Sequence, residues 1–130
     1  MDKAESIDQA DIWYVDFEPV RGSEIGKVRP ALILSSTEYN TASATIFIAP
    51  VTSGKPKNEE LSPFHILISA SRKNGLSKDS YINITQIKVA SRFRFERKIG
   101  TVENKDIIRK IASKILKLWD IEPEELVMKG

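Results

Sequence analysis

One segment near the C-terminus repeats apolar residues at helical spacing. Ile107, Ile108, Ile111, Ala112, Ile115, Leu116, Leu118 and Trp119 mark one stripe, with Arg109, Lys110, Lys114 and Lys117 falling on the wet face between them. Asn104 is placed to cap its start. A lone amphipathic helix must bury its stripe against something else. What precedes it is a series of short strand-like runs: Asp11–Phe17, Ala31–Ser36, Ala44–Ala49, Phe64–Ile68, Tyr81–Val89 and Phe93–Gly100. Turn-forming residues separate them: a polar loop 18–28 with two glycines, a turn at Thr37-Glu38-Tyr39-Asn40, a Ser/Gly/Lys/Pro-rich loop 52–63, and Arg72-Lys73-Asn74-Gly75. Within Tyr81–Val89, Ile82, Ile84 and Gln86 share a face. The pattern predicts a small curled sheet or barrel with one packed helix, mainly β, rather than a parallel α/β fold.

At 130 residues the chain is long enough for one domain with a real core. We expect a folded domain at 10–120, a loosely packed N-terminal extension at 1–9 and a tail at 121–130. There is no cysteine, which removes disulfides, thiolate nucleophiles and thiolate metal sites. A single His with no His/carboxylate cluster at ligand spacing points to no metal and no cofactor. The polar, acidic start Met1-Asp2-Lys3-Ala4-Glu5-Ser6 and the absence of a long apolar run lead us to expect a cytoplasmic protein without a secretory signal or a membrane span.

The net charge of +2 hides an uneven distribution. Residues 1–24 hold Asp2, Glu5, Asp8, Asp11, Asp16, Glu18 and Glu24 against Lys3 and Arg21. Residues 88–98 hold Lys88, Arg92, Arg94, Arg97 and Lys98 against Glu96. A basic stripe on a small domain is the footprint of a phosphate-backbone partner, and also of a protected strand edge.

Two short motifs carry the chemistry. In Gly22-Ser23-Glu24-Ile25-Gly26-Lys27-Val28-Arg29-Pro30, Pro30 holds Arg29 extended at the junction between a loop and a core strand. In Pro50-Val51-Thr52-Ser53, a strand gives way to a loop at Thr52. Loops fixed on rigid strands are where function concentrates. Each residue also has a structural reading: Arg29 pairing with Asp16 or Glu18, Thr52 and Ser53 capping a turn, and Glu24 as a solvated loop acid. His65 supplies the one imidazole of the sequence, a candidate acid or base, but has no motif around it. Trp13, Tyr14 and Phe17 offer stacking surfaces, although one face of their strand must fill the core.

Taken in order, Asp11-Ile12-Trp13-Tyr14-Val15-Asp16-Phe17, Gly22-Ser23-Glu24, Arg29-Pro30-Ala31, Pro50-Val51-Thr52-Ser53 and Thr85-Gln86-Ile87-Lys88 with the closing helix resemble the MazF/PemK family of toxin endoribonucleases. The resemblance implies an SH3-like small open barrel with a C-terminal helix, shared with CcdB-type gyrase poisons and assembled as a homodimer. It implies metal-independent cleavage of single-stranded RNA, in which the 2′-hydroxyl attacks phosphorus to leave a 2′,3′-cyclic phosphate and a 5′-hydroxyl. Arg29 would stabilise charge, Thr52 would donate to a phosphate oxygen, and Glu24 would serve as base. Trp13, Ser23, Ser53, Gln86, Lys88, Arg92, Arg94 and Arg97 would contact RNA. An antitoxin would inhibit the enzyme and, in complex, bind DNA. The chain departs from the family at Thr85, where an acid is usual, and at Ala10, where glycine is usual. The alternatives are a non-catalytic CcdB-like gyrase poison and an SH3-like RNA- or peptide-binding module.

Overall fold

The structure, a computed structural model, describes residues 5–17, 28–56 and 58–126. Among them seven strands form one curled antiparallel sheet: β1 (Asp11–Asp16), β2 (Val28–Ile33), β3 (Thr45–Thr52), β4 (His65–Ile68), β5 (Ser80–Asn83), β6 (Lys88–Ser91) and β7 (Phe95–Thr101). A short helix, α1 (Thr37–Ala42), links β2 to β3, and the long helix α2 (Asp106–Leu118) follows β7. The strand order is β4-β5-β3-β2-β1-β7, with β6 paired to β3. The end strands β4 and β7 do not pair, so the barrel stays open. No helix among the described residues is long and apolar enough to cross a membrane.

Strand β3 makes the sheet curl. Thr45 to Ile48 pair with β6, while Val51 and Thr52 pair with β5. Pro50, which has no N–H to give a ladder, falls between those pairings. The expected strand end at Ala49 is three residues short, and β3 runs to Thr52.

Both faces of the central strands are buried. Ile12, Leu32, Val51, Ile66 and Ile82 form one cluster, capped by Ile107 and Ile111 of α2. Trp13, Val15, Ala31, Ile33, Ile46 and Ile48 form the other, on the opposite face. This double burial is why Ala31-Leu32-Ile33 reads as an unbroken apolar run. The first strand waits for the last to be held: Thr101 Oγ1 donates to buried Asp11 Oδ1 at 2.9 Å across 90 positions, and Lys98 Nζ lies 3.5 Å from Asp11 Oδ2.

Four expectations change. The strand read across Tyr81–Val89 breaks at a 3₁₀ turn, Ile84–Gln86, because Asn83 Oδ1 accepts from the Thr85 N–H at 2.9 Å and from its Oγ1 at 2.6 Å. The turn expected at 37–40 is helix α1, capped by Ser36 Oγ accepting from Tyr39 N. Residues 5–9 are not loose. Ile7 is buried, its carbonyl accepts from Asn40 Nδ2 at 2.8 Å, and Gln9 Nε2 reaches the Leu34 carbonyl at 2.7 Å. The 52–63 loop ends in a 3₁₀ turn, Glu59–Phe64. The cap expected of Asn104 is present, with Oδ1 accepting from Asp106 N at 2.8 Å.

The turn at 71–75 docks onto β7 through Thr101 N donating to the Lys73 carbonyl at 2.9 Å. Gly75 takes φ +76°, and a Cβ there would strike the Ile99 carbonyl. Buried Asn74 fixes the turn, accepting from Ser71 N and Leu76 N and donating to the Ser69 carbonyl.

Candidate active site

Strands β2 and β3 pair Ala31 with Pro50, Leu32 with Ala49 and Ile33 with Ile48. The ladder stops at that first pair, and Arg29 on β2 and Thr52 on β3 each lie two residues beyond it. The alternation of strand side chains then puts both on the face of Ala31, Ile33 and Ile48, at the rim of the second cluster. On the other flank Arg29 pairs with Val15 of β1. Arg29 and Thr52 are both exposed, and no hydrogen bond or ion pair engages either side chain among the described residues. Two groups able to donate to phosphate oxygens thus lie near the ends of neighbouring strands, on the face of the second cluster.

Lys88 joins the same face from β6, because it pairs with Ile48. Its Nζ lies 5.1 Å from the ring centre of Phe17, which packs on the second cluster. Ile48 precedes Thr52 by about 13 Å of strand, at roughly 3.3 Å per residue. The ammonium therefore extends the positive surface along the strand instead of crowding the Arg29–Thr52 pair.

The other expected contacts scatter. Trp13 is a correction: it is 5% exposed, its ring stacks edge-on against Phe95 at 6.1 Å, and it belongs to the core. Its indole N–H has no hydrogen-bond partner among the described residues. Arg92 and Arg94 sit on a 3₁₀ turn, Arg92–Arg94, tied by Arg92 N to the Ala44 carbonyl. That is the far end of β3 from Thr52, about 23 Å away by strand rise. Arg97 lies over the Tyr14 ring, its guanidinium carbon 4.6 Å from the centroid. Gln86 is exposed on the Ile84–Gln86 turn, not mid-strand, and Thr85 spends its hydroxyl on Asn83. His65 begins β4 and pairs in register with Asn83 of β5, away from this face. Glu24 and Ser23 lie outside the described residues. No cluster of three His, Asp or Glu side chains suited to a metal occurs among the described residues.

Ser53 turns to the opposite face from Thr52. There it lines a cavity of about 290 Å³ together with Tyr14, Pro30 and Ser80. Sequence reasoning missed this cavity because its walls come from five separate segments that carry no shared motif.

The family profile described as PemK-like, MazF-like toxin of type II toxin–antitoxin systems matches residues 8–118. An endoribonuclease MazF from Staphylococcus epidermidis is 33% identical over 102 residues, covering 78% of this chain and 82% of that protein. Endoribonuclease MazF9 from Mycobacterium tuberculosis is 38% identical over 100 residues, covering 72% of this chain and 80% of its own. The crystal structure of MazF from Deinococcus radiodurans superposes with a TM-score of 0.71 at 24% identity, over 91% of this chain and 100% of that one. A crystal structure of MazE–MazF from the same organism gives 0.70 at 23% identity, over 91% and 100%.

Proposed function

Because the chain belongs to the PemK-like, MazF-like toxin family, we propose that it is an endoribonuclease toxin that cleaves single-stranded RNA without a metal, using the substrate's own nucleophile. The observation that carries this reading is the pair Arg29 and Thr52, exposed and unengaged among the described residues at adjoining strand ends.

The chemistry asks little of the protein. The ribose 2′-hydroxyl attacks the adjacent phosphorus, the 5′-oxygen leaves with a proton, and the products are a 2′,3′-cyclic phosphate and a 5′-hydroxyl end. Charge builds on the non-bridging oxygens as the phosphorane forms. The Arg29 guanidinium can hold two of those oxygens at once, and it stays charged throughout. Thr52 adds a hydroxyl donor whose β-branch restricts its rotamers, so little reorganisation is needed as charge develops. Glu24 takes the 2′-hydroxyl proton in this scheme, and the departing 5′-oxygen takes its proton from water. Lys88 holds a phosphate further along the strand.

Relatives solved as MazE–MazF complexes support an antitoxin partner for this chain. An acidic, extended antitoxin segment would occupy the electropositive face of Arg29 and Lys88 and exclude RNA from it. We also assign a homodimer, sited in the cytoplasm where messenger RNA is met. Phe47 and Val89 pair across β3 and β6 and are 41% and 48% exposed, and Trp119 at the end of α2 is 65% exposed. Phe47, Ile87, Leu118 and Trp119 help to line an apolar recess of about 650 Å³, the kind of surface that a second copy covers.

The test is cleavage of a single-stranded RNA in excess EDTA, with both product ends mapped. Cleavage should persist in the chelator and leave cyclic-phosphate and 5′-hydroxyl ends. One 2′-deoxy substitution at the scissile nucleotide should abolish it. Dependence on added Mg²⁺, or cutting of the deoxy-substituted strand, would refute the mechanism.

A further inference from the structure

The two ends of the sheet are protected differently. β7 borders one end, and its Glu96, Arg97 and Lys98 set charges along the strand, a common defence of an open edge. β4 borders the other end and pairs with β5 alone. Its sequence, His65-Ile66-Leu67-Ile68, has no lysine, carboxylate, proline or bulge to blunt the free side. Ile66 and Ile68 are buried in the cluster that α2 caps, while Leu67 is 53% exposed. Among the described residues no backbone hydrogen bond joins β4 to α2. The free edge of β4 is thus a template for one more strand.

Helix α2 supplies the facing wall. Ile66, Leu67, Asp106 and Lys110 line both of two hollows, of about 300 and 830 Å³, which therefore form one groove, and Lys114 lines the larger. The walls match in length. From Asp106 to Lys114 the helix rises about 12 Å, and the four residues His65–Ile68 span about 13 Å as a strand. 

Charge decides which chain fits. Asp106 is held by Arg109 at 2.9 Å, and Glu103 accepts from Ser71 Oγ, so both acids near the groove are engaged. Lys110 is exposed and has no partner among the described residues. Lys114 gives one of its three protons to the Pro63 carbonyl at 2.6 Å. These two cations lie four residues apart, about 6 Å along the helix. Alternate side chains of a strand are spaced by about 6.6 Å. On an added strand, one set of alternate side chains shares the face of Ile66 and Ile68 and meets α2, and the other shares the face of Leu67. Acids suit the first set and apolar residues the second.

We propose that the β4–α2 groove binds an extended acidic segment of a partner protein, which joins the sheet as a further strand beside β4. The groove lies on the side of the first cluster, whereas Arg29 and Thr52 share the face of the second. The bound segment therefore leaves the RNA face open, and its binding is measured without reference to cleavage.

The experiment titrates the full chain with a fluorescein-labelled octapeptide of alternating Glu and Val, read by fluorescence anisotropy. Binding should saturate at one peptide per protomer and weaken as salt rises. Lys110→Glu and Leu67→Lys, both at exposed positions, should each weaken it about tenfold with unchanged melting temperature. Two further peptides carry N-methyl groups on the odd or on the even residues. One should lose about tenfold in affinity and the other keep it, because only one edge of the added strand gives its N–H groups to β4. No saturable binding, wild-type affinity in both folded variants, or equal affinity of the two methylated peptides overturns the proposal. Displacement of the peptide by oligo(dT) would place nucleic acid in this groove or the peptide on the RNA face, and also overturns it.

Discussion

Arg29 and Trp13 illustrate how differently two residues of one site prediction can fare. Arg29 was legible because Pro30 fixes its backbone and the apolar run after it fixes its place at the mouth of a core strand. Replacing it with Ala should reduce cleavage by about 10²–10³ with the melting temperature unchanged, as expected for loss of one preorganised donor. Lysine should not restore the rate, because an ammonium cannot grip two oxygens in a plane. Thr52→Ala should lose about tenfold and Thr52→Ser regain most of it, as read by single-turnover cleavage. Trp13 was misread because β1 is buried on both faces, which erases the alternation that distinguishes inside from outside. Trp13→Ala should cost about 3–5 kcal/mol in urea unfolding. A stable Trp13→Ala protein that merely binds RNA less well would place the ring at the surface after all.

The strands and the closing helix could be read from hydrophobic pattern and turn residues, and the order of five short motifs placed Arg29 and Thr52 together. What the pattern could not give was where side-chain hydrogen bonds override propensity. Asn83 breaks what reads as one strand, and that break turns Gln86 onto an exposed corner. The basic stripe suffers the same fate. Contiguous in sequence, residues 88–98 are folded into β6, a 3₁₀ turn and β7, so Lys88 faces the site while Arg92 and Arg94 stand at the opposite end of β3. Neutralising Arg92 and Arg94 together should weaken RNA binding and reduce the slope of log K against log salt by about 1.4, two single-strand phosphate contacts' worth. Filter binding across a salt series measures this, and the cut-site preference should not move. If the slope stays constant, these arginines do not touch RNA.

For the whole molecule, the open barrel leaves its apolar outer surface on β3, β6 and the end of α2. Phe47→Glu combined with Trp119→Glu should convert a dimer at micromolar concentration to a monomer by sedimentation velocity, since buried carboxylates without partners would oppose association. A variant that sediments as wild type would put the contact elsewhere. The other global property is how late the fold completes. Asp11 is held by Thr101 and Lys98, and the core that carries β2 and β3 is closed by Ile107 and Ile111 of α2. A chain emerging from a ribosome at about 5–20 residues per second therefore cannot complete the packing around Arg29 and Thr52 until β7 and α2 have emerged. The transcript nearest to a growing copy of this enzyme is the one that encodes it. Ordering the first strand with the last therefore withholds the face of Arg29 and Thr52 from a nascent chain until β7 and α2 have been made.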